Sequence, residues 1–345
     1  MADEHKHGHK GEHAHGHDHG HDHGHSQSHG EHKQDHEPKA HSHDHGHEHE
    51  HSHGEHSHSH DAHGHGHGHA HGHSHDHGHG LDHKSRFHDP AHARDFDSRG
   101  LSDMRTDLTE KLIEALTLKG GEAILDLATG TGRVARPLSK KLKGGRIVGV
   151  DEAMAMLDVG HHHKDPIEHY EQSAGQADKL PFKTGTFDRA FVSFSLHHFG
   201  NPAGVVAEVL RVLKPSGRFV VVDPIIEEAK DAVDSALEAK INQVFRRTHG
   251  DGFKFHTSSS IQRLLSKAGY RVPRVNVLSY SFNQEGMDGI PTGRHWLEAA
   301  LELEKEAPEL AERMKKNYFT WHSHGDHAHV KGSFSYAVIT GVKPA

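Results

Sequence analysis

No leucine, isoleucine, valine, phenylalanine, tyrosine or tryptophan occurs before Leu81 of this 345-residue chain. Ordering a residue costs roughly 1 to 2 kcal/mol of backbone entropy, and a segment with no sizeable apolar side chain has nothing to offset it. Residues 1–88 are therefore expected to form a disordered tail, and the core must come from one folded domain over 89–345. The tail holds most of the 48 histidines and carries the whole formal charge of −9, which leaves the body neutral. A neutral body without a Lys/Arg stripe argues against nucleic acid as a partner. The chain shows neither an apolar run of about 18 residues nor a signal-peptide core, so no membrane span and a cytoplasmic location are expected. The absence of cysteine removes disulfides and thiolate metal sites.

Within the body, apolar spacing at Leu101, Met104, Leu108, Leu112, Ile113 and Leu116 predicts an amphipathic helix closed by Gly120 and Gly121. Five buried strands follow, around Ile124–Leu127, Ile147–Asp151, the segment from His169, the segment from Phe187, and the segment ending at Asp223. Helices are predicted from about Met154, over Asn201–Leu213 and over Ser258–Ala268. Alternation of this kind implies a parallel sheet covered on both faces. The end of the chain breaks it with two strands, RVPRVNVLSYSF and GSFSYAVITGVK, that lack an ordinary crossover and suggest an antiparallel edge pair. Two insertions are expected, at about 225–256 with a helix near Leu237–Phe245, and at about 283–330 with helical spacing at Trp296–Leu301 and a restart at Pro308. Insertions at such points build lids or homodimer contacts.

The chemistry concentrates in ILDLATGTGRVA, from Ile124 to Ala135. Here a strand runs into a glycine turn that opens a helix near Arg133. Glycines allow close backbone approach, and the free N–H groups of a helix's first turn favour a carboxylate or phosphate. Taken alone, Gly130, Gly132 and Ala135 also fit the GxGxxA pattern of dinucleotide sites, so a nicotinamide-dependent oxidoreductase remains an alternative. Asp151 lies 19 residues beyond Gly132 and ends the second strand, where a carboxylate can accept from both hydroxyls of a ribose; its other reading is a helix cap before Ala153.

With LPF at Leu180–Phe182, LHHF after the fourth strand and LRVLKPSGRFVVVD, the body resembles class I S-adenosylmethionine-dependent methyltransferases. It is most similar to the small-molecule branch that contains the ubiquinone and menaquinone C-methyltransferases. The resemblance spans about 101–342 outside the insertions. It implies a doubly wound, Rossmann-like, seven-stranded α/β sheet with an antiparallel edge strand, S-adenosyl-L-methionine as cofactor and a small-molecule acceptor. It further implies that Asp126, Ala128, Gly130 and Gly132 line the methionine end, that Asp151 holds the ribose, and that Gln176 with Ala177 meets the adenine. Family members often carry glycine at the position of Ala128 and a carboxylate at that of Gln176. Arg133 is either a partner of the cofactor carboxylate or an exposed helix residue.

Methyl transfer requires donor and acceptor in attack geometry more than a dedicated nucleophile. A hydroxyl or acidic-carbon acceptor would need a general base, and His197 and His198 stand on the carboxyl edge of the sheet where such a base belongs. The alternative is that the pair is only a structural element of the post-strand loop. Asp223 can reach the acceptor pocket or cap a helix, while His249, His256 and His295, on insertions, are expected to be solvated.

Alternating His-x-His places imidazoles on one side of any extended stretch, so the tail should chelate divalent ions such as Ni, Zn, Co or Cu weakly and interchangeably; otherwise it is a solubilising spacer. His322, His324, His327 and His329, in HSHGDHAH, repeat that register inside the second insertion, either as one defined metal site or as a mobile loop. A metal storage or delivery protein that uses the domain as a scaffold is the alternative to an enzyme.

Overall fold

The computed structural model describes residues 86–345 except Pro291, Gly325 and Asp326, and leaves undescribed the side chains of Pro273, His324 and His327. The expected tail lies almost wholly outside the described residues.

Five parallel strands form the centre of the sheet. They are β1 (Ala123–Leu127), β2 (Arg146–Asp151), β3 (Tyr170–Ala174), β4 (Phe187–Ser193) and β5 (Leu213–Ile225). The chain runs outward through β1, β2 and β3, then returns to lay β4 against the free side of β1. Ligands settle at the carboxyl ends of strands that flank such a reversal, because the connecting loops diverge there. β6 (Arg271–Glu285) and β8 (His327–Val342) complete the order β3-β2-β1-β4-β5-β8-β6, with β8 antiparallel to both neighbours.

The expected seven-stranded sheet and its antiparallel edge are present, with one strand more. β7 (Phe319–His324) pairs with the first half of β8, on the side where β5 pairs with the second half. It forms because Phe319 and Trp321 bury one face of a period-two segment while His322 stays exposed. HSHGDHAH is therefore the end of a hairpin.

Nine helices are described. α1 (Pro90–Ser98) starts at Asp89, whose side chain accepts from the Ala91 N–H at 2.9 Å. Ala93 packs it against Ala153 and Met156, beside α4 (Met154–His161). α2 (Asp103–Leu116) is capped by Ser102 and ends at Thr117 in a left-handed conformation, before the expected glycine stop. α3 (Ala135–Ser139) is short and begins two residues after Arg133, because 129–134 form turns instead. α5 (Pro202–Val212) and α7 (Ser258–Ala268) cover one sheet face, with Val206, Val209, Ile261 and Leu265 packed on Phe187, Phe219 and Val221.

The insertions are helical, as expected, and dock on each other. α6 (Ala232–His249) belongs to the first, and α8 (Gly293–Glu306) and α9 (Pro308–Asn317) to the second. Glu302 pairs with Arg247 and Lys240, while Arg313 reaches Asp231 and Asp234; the Lys230 backbone N–H, with Arg313 beside it, holds the Asp234 carboxyl down at about 2. Phe245, Phe253, Phe255 and Trp296, all buried, form one aromatic cluster that joins the two insertions.

The turn into β2 makes an exacting demand on sequence. Gly145 has φ +89°, and a Cβ there would stand 2.2 Å from the Glu122 carbonyl oxygen. Gly145→Ala is expected to cost at least about 2 kcal/mol, because both the backbone conformation and the clash with main chain oppose it. Urea unfolding checks this, and a loss under about 0.5 kcal/mol would show that the turn relaxes.

Candidate active site

A cavity of about 700 Å³ opens at the carboxyl ends of β1, β2 and β4. Its first wall is the glycine loop. After Leu127 the chain turns at Ala128, which holds φ 55°, and the Thr129 N–H donates to the Val150 carbonyl at 3.0 Å. The Gly130 N–H then donates to Asp151 Oδ2 at 2.8 Å, while Asp151 Oδ1 accepts from Ala153 N–H at 2.9 Å. Asp151 is not the cap of α4, whose N-cap is Ala153 without a side-chain hydrogen bond; it holds the Ala153 N–H and ties the glycine loop to β2. Each carboxylate oxygen keeps further lone-pair capacity toward the cavity. Burial pushes this carboxyl up, against the two backbone hydrogen bonds.

Asp126, Ala128, Gly130, Asp151, Gln176 and Ala177 all line the cavity. Gly132 does not. It faces the other way at φ +79°, where an added Cβ would stand 2.6 Å from Ile167 Cδ1, so packing explains this glycine. Thr131 bonds Asp97 at 2.6 Å and so fastens α1 over the loop.

Asp126 is buried at the end of β1 and accepts from Thr129 Oγ1 at 2.6 Å, and Tyr170 OH lies 2.8 Å from the same hydroxyl. Desolvation pushes the Asp126 carboxyl up to about 8. A carboxyl raised in the folded state contributes its stability below its unfolded pKa of about 4, and loses that contribution as pH rises through the folded value. The ligand-free protein is therefore expected to lose stability from about pH 4 to pH 8 through this group. Asp126→Asn should flatten the melting temperature across that window, and an unchanged slope would contradict the assignment.

The opposite wall carries the histidines. Leu196–His198 forms a 3-10 turn after β4 that aims both His197 and His198 at the cavity. Asp223, wholly buried on β5, accepts the His197 N–H at 3.1 Å and lies 3.0 Å from its Nδ1, so the ring is fixed and Nε2 is the nitrogen left for other contacts. His249 is not solvated as expected: it is buried, stacks on His198 and meets His295 at 4.9 Å between ring centroids. His256 is buried enough for desolvation to lower its pKa, which favours the neutral ring. The aromatic cluster joining the two insertions draws these histidines inward, a long-range effect that no local pattern reports.

Sequence reading also missed Arg105, which sits on α2 over the Phe194 ring at 4.2 Å and lines the cavity. The signal was available, because position 105 falls four residues after Leu101 and three before Leu108, on the apolar stripe.

Among the described residues, no group of three or more His, Asp or Glu is disposed to hold a metal ion. His322 stands opposite His329, whose Nδ1 and Nε2 lie 2.7 Å from Glu285 and 2.8 Å from Asn283. His324 pairs with His327 in the backbone, but their side chains lie outside the described residues. No described helix is long and apolar enough to cross a membrane.

A methyltransferase domain family matches residues 125–221. A demethylmenaquinone methyltransferase of Corynebacterium kroppenstedtii is 43% identical over 103 residues, 30% of this chain and 42% of that protein. One from Thermotoga maritima is 35% identical over 120 residues, 35% of this chain and 51% of that protein. The chain thus spans about half the length of these curated relatives, or less. A solved Bacillus halodurans protein, described as a candidate methyltransferase, superposes with a TM-score of 0.54 at 22% identity, covering 69% of this chain and 99% of that one. Over residues 125–221 the chain is accordingly similar to methyltransferase domains and to the demethylmenaquinone methyltransferases, on a Rossmann-like fold.

Proposed function

We propose that the chain is an S-adenosylmethionine-dependent methyltransferase acting on a small, partly apolar acceptor. The observation that carries this is the joining of the glycine loop to the Asp151 carboxylate at the sheet's reversal point, inside the matched methyltransferase domain. A second observation tests the fit of the cofactor. Arg133 Nε and Nη2 are buried on the cavity wall with no hydrogen-bond partner among the described residues, which suits a ligand carboxylate. The residues fit the group: Asp151 would hold the ribose, Gln176 and Ala177 the adenine, and Asp126, Ala128 and Gly130 the methionine end.

When bound, the cofactor supplies an electrophilic methyl on a sulfonium, and the methyl leaves with the sulfur keeping the bonding pair. The chain's own work is to hold the acceptor in line and to keep water out, for which Trp296, Phe334 and Tyr336 form an apolar wall. Where the acceptor is a hydroxyl or an acidic carbon, His197 Nε2 takes its proton, with Asp223 fixing the ring; His198 lines the same wall. The relatives' printed acceptor, a demethylmenaquinone, has a flat apolar ring of the kind such a wall receives.

Incubating the protein with deuteriomethyl-labelled cofactor and a quinol and phenol panel, followed by mass spectrometry, should show labelled product and S-adenosylhomocysteine in equal amounts. Cofactor that stays intact across the panel would count against the reading.

A second function is favoured by the His-x-His register of the tail: weak, multiple chelation of Ni, Zn, Co or Cu. Equilibrium dialysis of the full chain should show several ions bound, with occupancy falling as pH drops through about 6.5. Replacing the tail histidines with serine should remove most of them, and undiminished binding would place the metal in the body.

A further inference from the structure

Three guanidinium groups line the cavity; Arg99 pairs with Asp95, whereas Arg105 and Arg133 have no hydrogen-bond acceptor among the described residues. Arg133 follows the glycine loop and stacks on Phe96 at 3.9 Å. Arg105 lies on α2, over Phe194 at the end of β4, and beside Tyr336 of β8. Burial lowers both pKa values, and at Arg133 the neighbouring Arg105 charge adds to it, against Asp97, taking the group down to about 10. The wall's carboxylates, Asp126, Asp151, Glu152 and Asp178, sit at the ends of β1 and β2 and after β3, on the other side of the sheet's reversal point. A partly desolvated guanidinium without a hydrogen-bonded acceptor is costly, and an incoming anion with bidentate geometry relieves it.

The cofactor offers one carboxylate, whereas the cavity holds two such cations. Their positions divide the task, since Arg133 adjoins the glycine loop and Arg105 adjoins the aromatic wall and the His197 turn. We propose that Arg105 receives an oxyanion on the methyl acceptor, either a carboxylate or an aromatic or enolic oxygen, while Arg133 receives the cofactor carboxylate. This rests on the methyltransferase reading and narrows it: the acceptor is an anion with a flat apolar body, seated between Phe194, Tyr336 and Trp296. An ionised oxygen held there also lightens the demand for a general base.

The test uses the full chain saturated with S-adenosylhomocysteine and titrated calorimetrically with two matched pairs. Naphthoate is set against naphthamide, and pentafluorophenolate against pentafluorobenzyl alcohol. At least one anion should bind about tenfold more tightly than its neutral counterpart, and the pair that shows it separates carboxylate from phenolate. Arg105→Met should erase that preference and Arg105→Lys keep part of it. Both should leave S-adenosylhomocysteine affinity within about threefold, whereas Arg133→Met should lower it about tenfold or more. Should Arg105→Met fail to fold, the selectivity of the unaltered protein and the lysine variant still decide. The proposal is overturned if neither pair shows a preference, or if Arg105→Met weakens S-adenosylhomocysteine as much as Arg133→Met does. If the unaltered protein does not bind S-adenosylhomocysteine at all, the methyltransferase reading falls and takes this with it.

Discussion

Asp151→Ala is expected to weaken S-adenosylhomocysteine by about 2 to 3 kcal/mol, because hydrogen bonds from ribose hydroxyls to a charged, largely desolvated acceptor are each worth more than neutral ones. That corresponds to a loss of roughly 30- to 150-fold in affinity. The variant also strands the Gly130 N–H, which now donates to Asp151 Oδ2 at 2.8 Å, so the loop itself should loosen. Asp151→Asn keeps one acceptor oxygen and should lose less. Isothermal calorimetry on both variants, with melting curves to confirm folding, separates the effects. An alanine variant within threefold of the parent would mean that Asp151 serves the loop and the chain before Ala153, and holds no ribose.

His197→Leu is expected to cost about 3 kcal/mol of stability, since it leaves the wholly buried Asp223 carboxylate without its imidazole partner. The cost should stop short of the upper end for a broken buried pair if the backbone N–H at 197 stays on Asp223 Oδ2. Replacing both residues by leucine removes the stranded charge, so the double variant should be less destabilised than the single one. Chemical denaturation of the three proteins gives the comparison. Equal losses in the single and double variants would show that packing against Phe253 and Phe255, and not the carboxylate, sets the cost.

The central sheet was legible because β1, β2, β4 and β5 are buried on both faces and read as apolar runs, and because the Gly132-to-Asp151 spacing reports one strand-turn-helix-strand unit. The glycine-loop wall of the cavity followed from the same segment. α1 was not legible: it fully buries only Ala93, so its sequence carries little apolar pattern. β7 was hidden by its histidines, although Phe319 and Trp321 already showed the period of a strand. Gly132 was assigned to the ligand because sequence cannot say which way a glycine's absent side chain would point; here it points at Ile167. The opposite wall was the least legible part. His249, His295, Trp296, Arg105 and Tyr336 come from elements far apart in the chain; the packing of the two insertions against each other brings in the first three, and α2 and β8 bring in Arg105 and Tyr336.

Calorimetric titration of the full chain with S-adenosylhomocysteine, and separately with NAD, bears most directly on what the Gly130–Asp151 junction is for. The expected result is one S-adenosylhomocysteine bound per chain, with no measurable NAD binding under the same conditions. Tight binding of NAD, or no binding of S-adenosylhomocysteine by a folded protein, would contradict the assignment of this cavity.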